Sequence, residues 1–104
     1  MTEMNKVLFS QTALDHIYQL RQELQVPEDY GLRLTVANAS KQGIQYAMGF
    51  DIIQESDEVY EMHGLKVLVD LRDALHILGM KIEWKNVNGD EGFVFTDPTK
   101  VGKD

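Results

Sequence analysis

Residues 32–46 read LRLTVANASKQGIQY, and this stretch contains an alternating run followed by a small, polar interval. Every second residue from Leu32 to Val36 is apolar, which is typical of a strand because successive side chains point to opposite faces. The interval from Asn38 to Gly43 predicts a loop. The second run extends from Tyr46 to Ile52, so the sequence predicts two strands joined by this loop.

An amphipathic helix is predicted upstream, over residues 11–25. Ser10 precedes it as an N-cap, whose hydroxyl can accept a backbone N–H that has no partner within the helix. Pro27 and Gly31 follow it and mark its end. Its apolar stripe, at helical spacing, comprises Ala13, Leu14, Ile17, Leu20 and Leu24.

Further strands and a second helix are predicted downstream. Residues 59–62 and 65–69 each predict a strand, and the second is apolar on both faces, which favours a buried position. Asp70 is placed to cap a helix that ends near Gly79. Asn88-Gly89 is a strong hairpin signal between two more strands. The predicted buried stripe of the second helix comprises Leu71, Ala74, Leu75 and Leu78.

These elements describe the α+β class, with a compact, mostly antiparallel β core and two helices packed against it. A chain of 104 residues, of which 43% are hydrophobic, has the length and composition of one domain with a core. We expect a single domain over residues 1–98 and a flexible tail over 99–104.

Four stretches of the chain resemble the HesB/IscA-like family, the A-type iron–sulfur cluster carriers. Residues 32–46 are similar to the family's first metal-ligand region, where a cysteine precedes a glycine and a tyrosine; Lys41 occupies the cysteine position here, followed by Gly43 and Tyr46. The family usually ends in a Cys-Gly-Cys tail, whereas this chain contains no cysteine. The other similar stretches are residues 65–70, 78–84 and 92–98.

The resemblance implies a sandwich-like β core, a place in or descent from iron–sulfur cluster assembly, and self-association as a homodimer. The formal net charge of −7 disfavours phosphate backbones and anionic membrane surfaces as partners. No apolar stretch approaches the roughly 20 residues of a membrane-spanning helix, and the polar start has no secretory signal pattern. We therefore expect a cytoplasmic protein that binds neither nucleic acid nor a membrane.

Lys41, Gln42 and Gly43 are the candidate binding residues, by resemblance alone. A charged lysine has three N–H donors and no lone pair, so it cannot replace a thiolate as an iron ligand. One interpretation is a loop that holds an anion or a partner's carboxylate, and the other is a solvated loop that has lost its ligand. We expect no metal and no cofactor in either case.

The histidines offer the remaining borderline metal ligands. His16, His63 and His76 form no helical pair at metal-ligand spacing, which favours ordinary surface or boundary positions. The acidic residues between 55 and 61 likewise predict a solvated hairpin end. A small metal-ion binder that uses histidines and carboxylates is the alternative hypothesis, and it requires the fold to bring these groups together.

No sequence feature indicates an enzyme, because nucleophile motifs and phosphate-binding glycine loops are both missing. The leading hypothesis is a cysteine-free member of the iron–sulfur assembly family that acts as a binding or interaction module. Its expected partners are other iron–sulfur assembly proteins. It would not hold a cluster through thiolates of its own.

Overall fold

The structure is a computed structural model that describes residues 7–41, 43–62 and 64–96. Within these ranges, seven strands form two mixed sheets, and two α-helices accompany them. Three of the five strand pairings are antiparallel. The predicted α+β class is therefore confirmed. The predicted tail over 99–104 lies outside the described residues, and a single domain over 1–98 stays a prediction.

The elements follow one another with short connections. None of the described helices is long and apolar enough to cross a bilayer. In chain order the elements are β1 Leu8–Phe9, α1 Gln11–Glu23, β2 Tyr30–Ser40, β3 Gly43–Ile52, β4 Asp57–Met62, β5 Leu65–Asp70, a 3₁₀ turn Leu71–Asp73, α2 Ala74–Ile77, β6 Lys81–Val87 and β7 Asp90–Thr96.

One compact unit contains the described residues 7–24 and 78–96. Its sheet has the order β1-β6-β7, with β1 parallel and β7 antiparallel to β6. Asn88 and Gly89 join β6 to β7 with φ of 55° and 88°, which confirms the predicted hairpin turn. The buried apolar residues of this unit are Val7, Ala13, Leu14, Ile17, Met80 and Ile82.

Helix α1 begins as predicted, because the Ser10 hydroxyl accepts the Ala13 backbone N–H at 3.1 Å. The predicted stripe is buried only in its first part. Leu20 and Leu24 are 37% and 64% exposed, so their assignment to the core is wrong. Helical spacing identifies a face, but it does not show how far along that face the packing extends.

The other compact unit contains the described residues between 25 and 77 and the four-stranded sheet β3-β2-β5-β4. Strand β2 pairs antiparallel with β3 and parallel with β5. Strand β5 is buried on both faces, as predicted, since consecutive residues Val67, Leu68 and Val69 are all inaccessible to solvent. The buried apolar residues of this unit are Leu32, Leu34, Leu65, Val67, Leu68, Val69 and Ile77.

The second helix differs from its prediction. Asp70 caps the segment by accepting the Arg72 backbone N–H at 2.8 Å, as expected. The chain then forms a 3₁₀ turn before the short α2, and Leu71 and Leu75 are 56% and 96% exposed while Ile77 is buried. The predicted stripe is wrong for Leu71 and Leu75, because a 3₁₀ turn has about 3.0 residues per turn, which rotates the side chains away from the α-helical faces. Ala74 and Leu78 are half-buried.

Candidate binding site at the β2–β3 hairpin

The candidate site lies at the tip of the β2–β3 hairpin. Ser40 pairs with Gly43, so the pairing of β2 with β3 extends to the residue directly before Lys41. The predicted loop from Asn38 to Gly43 is therefore wrong in its extent. Residues 37–40 belong to β2 and are all exposed, so the polar side chains of Asn38 and Ser40 reflect contact with solvent rather than a loop.

The structure places two of the three predicted site residues at this tip. Lys41 is exposed at the turn, and Gly43 follows with φ of 133°, a conformation that side chains with a Cβ rarely adopt. A Cβ at Gly43 would meet no atom within 4 Å, so its constraint is conformational rather than steric. Gln42 lies outside the described residues. A binding role for these residues stays a prediction.

The base of the tip is anchored to the segment that follows β5. The β2–β3 register shifts after Val36, which marks a β-bulge, and the Val36 N–H donates to Asp73 Oδ2 at 3.3 Å. On the facing strand, the Tyr46 hydroxyl donates to the His76 backbone carbonyl at 3.3 Å. These two bonds hold the hairpin where it leaves the core of its unit, so the tip projects from a fixed base.

The groups at the tip are chemically hard and neutral, apart from one ammonium. No carboxylate, imidazole or thiolate occurs between Val36 and Tyr46. Hydroxyl, amide and ammonium groups suit an anion or a carboxylate, whereas an iron–sulfur cluster requires soft thiolate ligands. The residues present therefore do not fit a cluster. They surround a shallow depression of about 150 Å³ lined by Asn38, Ser40, Gly43, Ile44 and Gln45.

An ion-pair cluster, which the sequence did not reveal, lies at the other end of the hairpin. Arg33 donates from Nη1 and Nη2 to the two carboxylate oxygens of Asp57 at 2.6 Å and 2.7 Å. Its Nε donates to Asp51 Oδ2 at 2.7 Å, and Nη2 also donates to the Ile52 carbonyl at 3.0 Å. The Gln54 N–H donates to Asp57 as well, at 2.7 Å. One guanidinium thus links β2, β3 and the start of β4.

The prediction of a solvated acidic hairpin end is wrong for Asp57, whose side chain is fully buried. The bidentate bond from Arg33 holds the pKa of Asp57 below its usual value. The pKa of Asp51 is also lowered, first by the Ile52 backbone N–H and then by Arg33. An arginine on the strand face opposite Leu32 and Leu34 could have signalled a carboxylate partner, but not which one.

The histidines do not assemble into a site. His16 stacks on Trp84 with ring centroids 3.7 Å apart, and Trp84 and Phe93 form an edge-to-face pair with centroids 4.8 Å apart. His76 is exposed on α2, and His63 lies outside the described residues. Within residues 7–41, 43–62 and 64–96, no three histidine or carboxylate side chains converge as a metal site. The metal-binding alternative therefore gains no support from this part of the chain.

Known proteins share sequence with this chain, although no protein-family model matches it. The iron-binding protein IscA of Xenorhabdus nematophila is 36% identical over 69 residues, which cover 65% of this chain and 64% of that protein. An uncharacterized protein SufA of Bacillus subtilis is 33% identical over 99 residues, which cover 93% of this chain and 81% of that protein. The chain thus matches just under two thirds of the IscA relative's length.

Solved structures share the fold at lower identity. Escherichia coli SufA, involved in biosynthesis of iron–sulfur clusters, has a TM-score of 0.73 and 22% identity, over 95% of this chain and 86% of that chain. IscA with a [2Fe-2S] cluster has a TM-score of 0.70 and 15% identity, over 88% of this chain and 82% of that chain. The arrangement of seven described strands and two helices is therefore a fold seen in both.

Proposed function

This chain belongs to the HesB/IscA-like family of iron–sulfur cluster assembly proteins, and from this premise we propose that it is a protein-binding module that holds no cluster itself. The observation that supports the proposal is Lys41 directly after the paired residue Ser40 of the β2–β3 hairpin, at the position where the family resemblance places a cysteine. The backbone scaffold of the site is present, and its sulfur ligand is replaced by an exposed cation.

The chemistry of the tip favours a negatively charged group on a partner protein. An exposed lysine ammonium is a mobile point charge with three N–H donors, and it binds carboxylates without demanding one geometry. The open space beside Gly43 leaves room for such a group. In this proposal the chain is not an enzyme, acts in the cytoplasm, and docks on other iron–sulfur assembly proteins.

Anaerobic incubation with iron and sulfide tests the lack of cluster binding. We expect the purified chain to retain no stoichiometric iron and to show no visible absorbance band, because it contains no thiolate. A matched variant carries Lys41→Cys, Val101→Cys and Lys103→Cys, which restores a cysteine at the tip and a Cys-Gly-Cys sequence near the end. A stable iron–sulfur chromophore on the unmodified chain would refute the proposal.

Capture of partners tests the binding role. The immobilised chain should recover iron–sulfur assembly proteins from an extract of its own cells, and Lys41→Glu should reduce that recovery by reversing the charge at the tip. Lys85→Glu is the matched control, because Lys85 is also exposed but lies on β6. Recovery of unrelated proteins alone, or equal recovery by both variants, would contradict a docking role for the tip.

A further inference from the structure

The turn between β6 and β7 contains an asparagine followed by a glycine, a pair that can react with itself. Asn88 and Gly89 are both exposed, and they connect the paired residues Val87 and Asp90. The Gly89 backbone nitrogen can close a five-membered ring with the side-chain carbonyl carbon of Asn88, and such intramolecular attack is strongly favoured over attack from solution. Glycine assists because, without a Cβ, it does not hinder the approach of the two atoms.

The surroundings of the turn are open to water. A Cβ built on Gly89 would meet no atom within 4 Å. Water and hydroxide therefore reach both the backbone nitrogen of Gly89 and the side chain of Asn88. By contrast, Asn38 lies within β2 and precedes Ala39, so it lacks the glycine that makes the ring closure easy.

One hydrogen bond restrains the reacting nitrogen. The Gly89 N–H donates to Asn86 Oδ1 at 3.0 Å. The nitrogen becomes a nucleophile only when it loses this proton, and it must also turn toward the Asn88 side chain. Both changes break the bond to Asn86, so its free energy adds to the barrier of the reaction in the folded chain.

We propose that Asn88 is a site of spontaneous deamidation, and that the Asn86 side chain limits its rate in the folded chain. The modification needs no enzyme and no partner, and water is its co-reactant. This inference is independent of the proposed function.

The reaction balances with the two turn residues and water. Hydroxide takes the Gly89 N–H proton, and the nitrogen attacks Asn88 Cγ to close a succinimide ring. The Cγ–Nδ2 bond breaks, and the leaving nitrogen takes a proton from water and departs as ammonia. Water then opens the ring. Cleavage of the N–Cγ bond gives aspartate, whereas cleavage of the bond from N to the backbone carbonyl carbon gives isoaspartate.

The two products differ in their effect on the hairpin. Aspartate keeps the main chain of the turn, and the φ of 55° at this position is one that aspartate tolerates. It adds a negative charge next to Asp90 and Glu91. Isoaspartate inserts one extra carbon into the main chain, whereas the pairing of Val87 with Asp90 requires a two-residue connection. Isoaspartate should therefore loosen this end of the hairpin.

Mass spectrometry of the purified chain tests the site. After incubation at mildly alkaline pH, peptides that contain Asn88 should show conversion to aspartate and isoaspartate, while Asn38 in the same sample should stay unchanged. The rate should rise with pH, because hydroxide removes the Gly89 proton. No conversion of Asn88, or equal conversion of Asn38 and Asn88, would overturn the proposed site.

Asn86→Ala tests the restraint. Removal of the acceptor should speed the conversion of Asn88 roughly fivefold, which is the factor that corresponds to one hydrogen bond between neutral groups. Asn38→Ala is the matched control, because it makes the same change at another exposed strand position, and it should leave the rate unaltered. Equal rates in Asn86→Ala and in the unmodified chain would overturn the role of Asn86.

Two further measurements keep the test independent of how well Asn86→Ala folds. Unfolding of the unmodified chain in urea breaks the same hydrogen bond without a substitution, and it should speed conversion at least as much. Asn88→Asp should unfold at the same temperature as the unmodified chain, whereas the chromatographic fraction that contains isoaspartate should unfold at a lower one. Equal midpoints for the isoaspartate fraction and for Asn88→Asp would contradict the expected loosening of the hairpin.

Discussion

Removal of the Asp57 carboxylate should destabilise the fold by about 3 kcal/mol. Both carboxylate oxygens of Asp57 accept hydrogen bonds from Arg33, at 2.6 Å and 2.7 Å. The Asp57 side chain is 0% exposed, and the Arg33 side chain is 14% exposed. Loss of one partner of a buried pair costs about 3–5 kcal/mol, because the remaining charge stays desolvated. Arg33 retains Asp51 and the Ile52 carbonyl as acceptors, which places the cost at the lower end of that range.

Urea denaturation of Asp57→Ala measures this cost. With a slope of about 1.5 kcal/mol per molar urea for a chain of this size, the transition midpoint should fall by about 2 M. Glu58→Ala is the matched control, because it removes an exposed carboxylate from the next position of β4 and should change the free energy of unfolding by under about 0.5 kcal/mol.

A double variant separates the charge effect from the loss of volume. Arg33→Met combined with Asp57→Ala removes both charges of the pair, so it should be more stable than the sum of the two single changes predicts. If the free energies of unfolding of Asp57→Ala and the unmodified chain differ by less than about 0.5 kcal/mol, the ion pair does not stabilise the fold.

Three other predictions concern separate features. The Arg33 guanidinium lowers the pKa of Asp57 in the folded state, so the contribution of Asp57 to the free energy of unfolding is complete above the unfolded pKa near 3.9 and is lost as the pH falls through the lower folded pKa. Below about pH 4 the free energy of unfolding of Asp57→Asn should therefore fall less steeply with decreasing pH than that of the unmodified chain. Urea titrations at several pH values measure this difference. Gly31→Ala should lower the free energy of unfolding by about 1–3 kcal/mol, because the new Cβ would lie 2.9 Å from the Lys66 carbonyl oxygen of the neighbouring strand. Gly92→Ala is the control, because a Cβ at Gly92 would meet no atom within 4 Å. Equal thermal midpoints for the two variants would contradict this prediction. His16→Ala should cost about 1 kcal/mol and shift the emission of Trp84, the single tryptophan, while an unchanged spectrum would show that the stack does not persist in solution.

The sequence predicts those features of the fold that depend on near neighbours. The Ser10 cap and the Asn88-Gly89 turn are confirmed because each depends on the backbone preferences of a few consecutive residues. Strand β5 is recognisable because a short run that is apolar on both faces needs burial on both sides. Helix α2 is less predictable, since four residues after a 3₁₀ turn are too few for helical periodicity to develop.

At the candidate site, too, the sequence predicts some features and the tertiary structure decides others. The sequence alone determined that the tip carries Lys41 and that the chain has no sulfur ligand, because ligand chemistry belongs to the side chains themselves. Only the tertiary structure decided that the pairing of β2 with β3 extends to Ser40 and Gly43, and that Asp57 is buried against Arg33. Those two ion-paired residues are 24 positions apart, and they meet because β5 pairs with β2 on one side and with β4 on the other. Local sequence does not predict such a pairing, since the register between distant strands is set by the packing of the whole sheet.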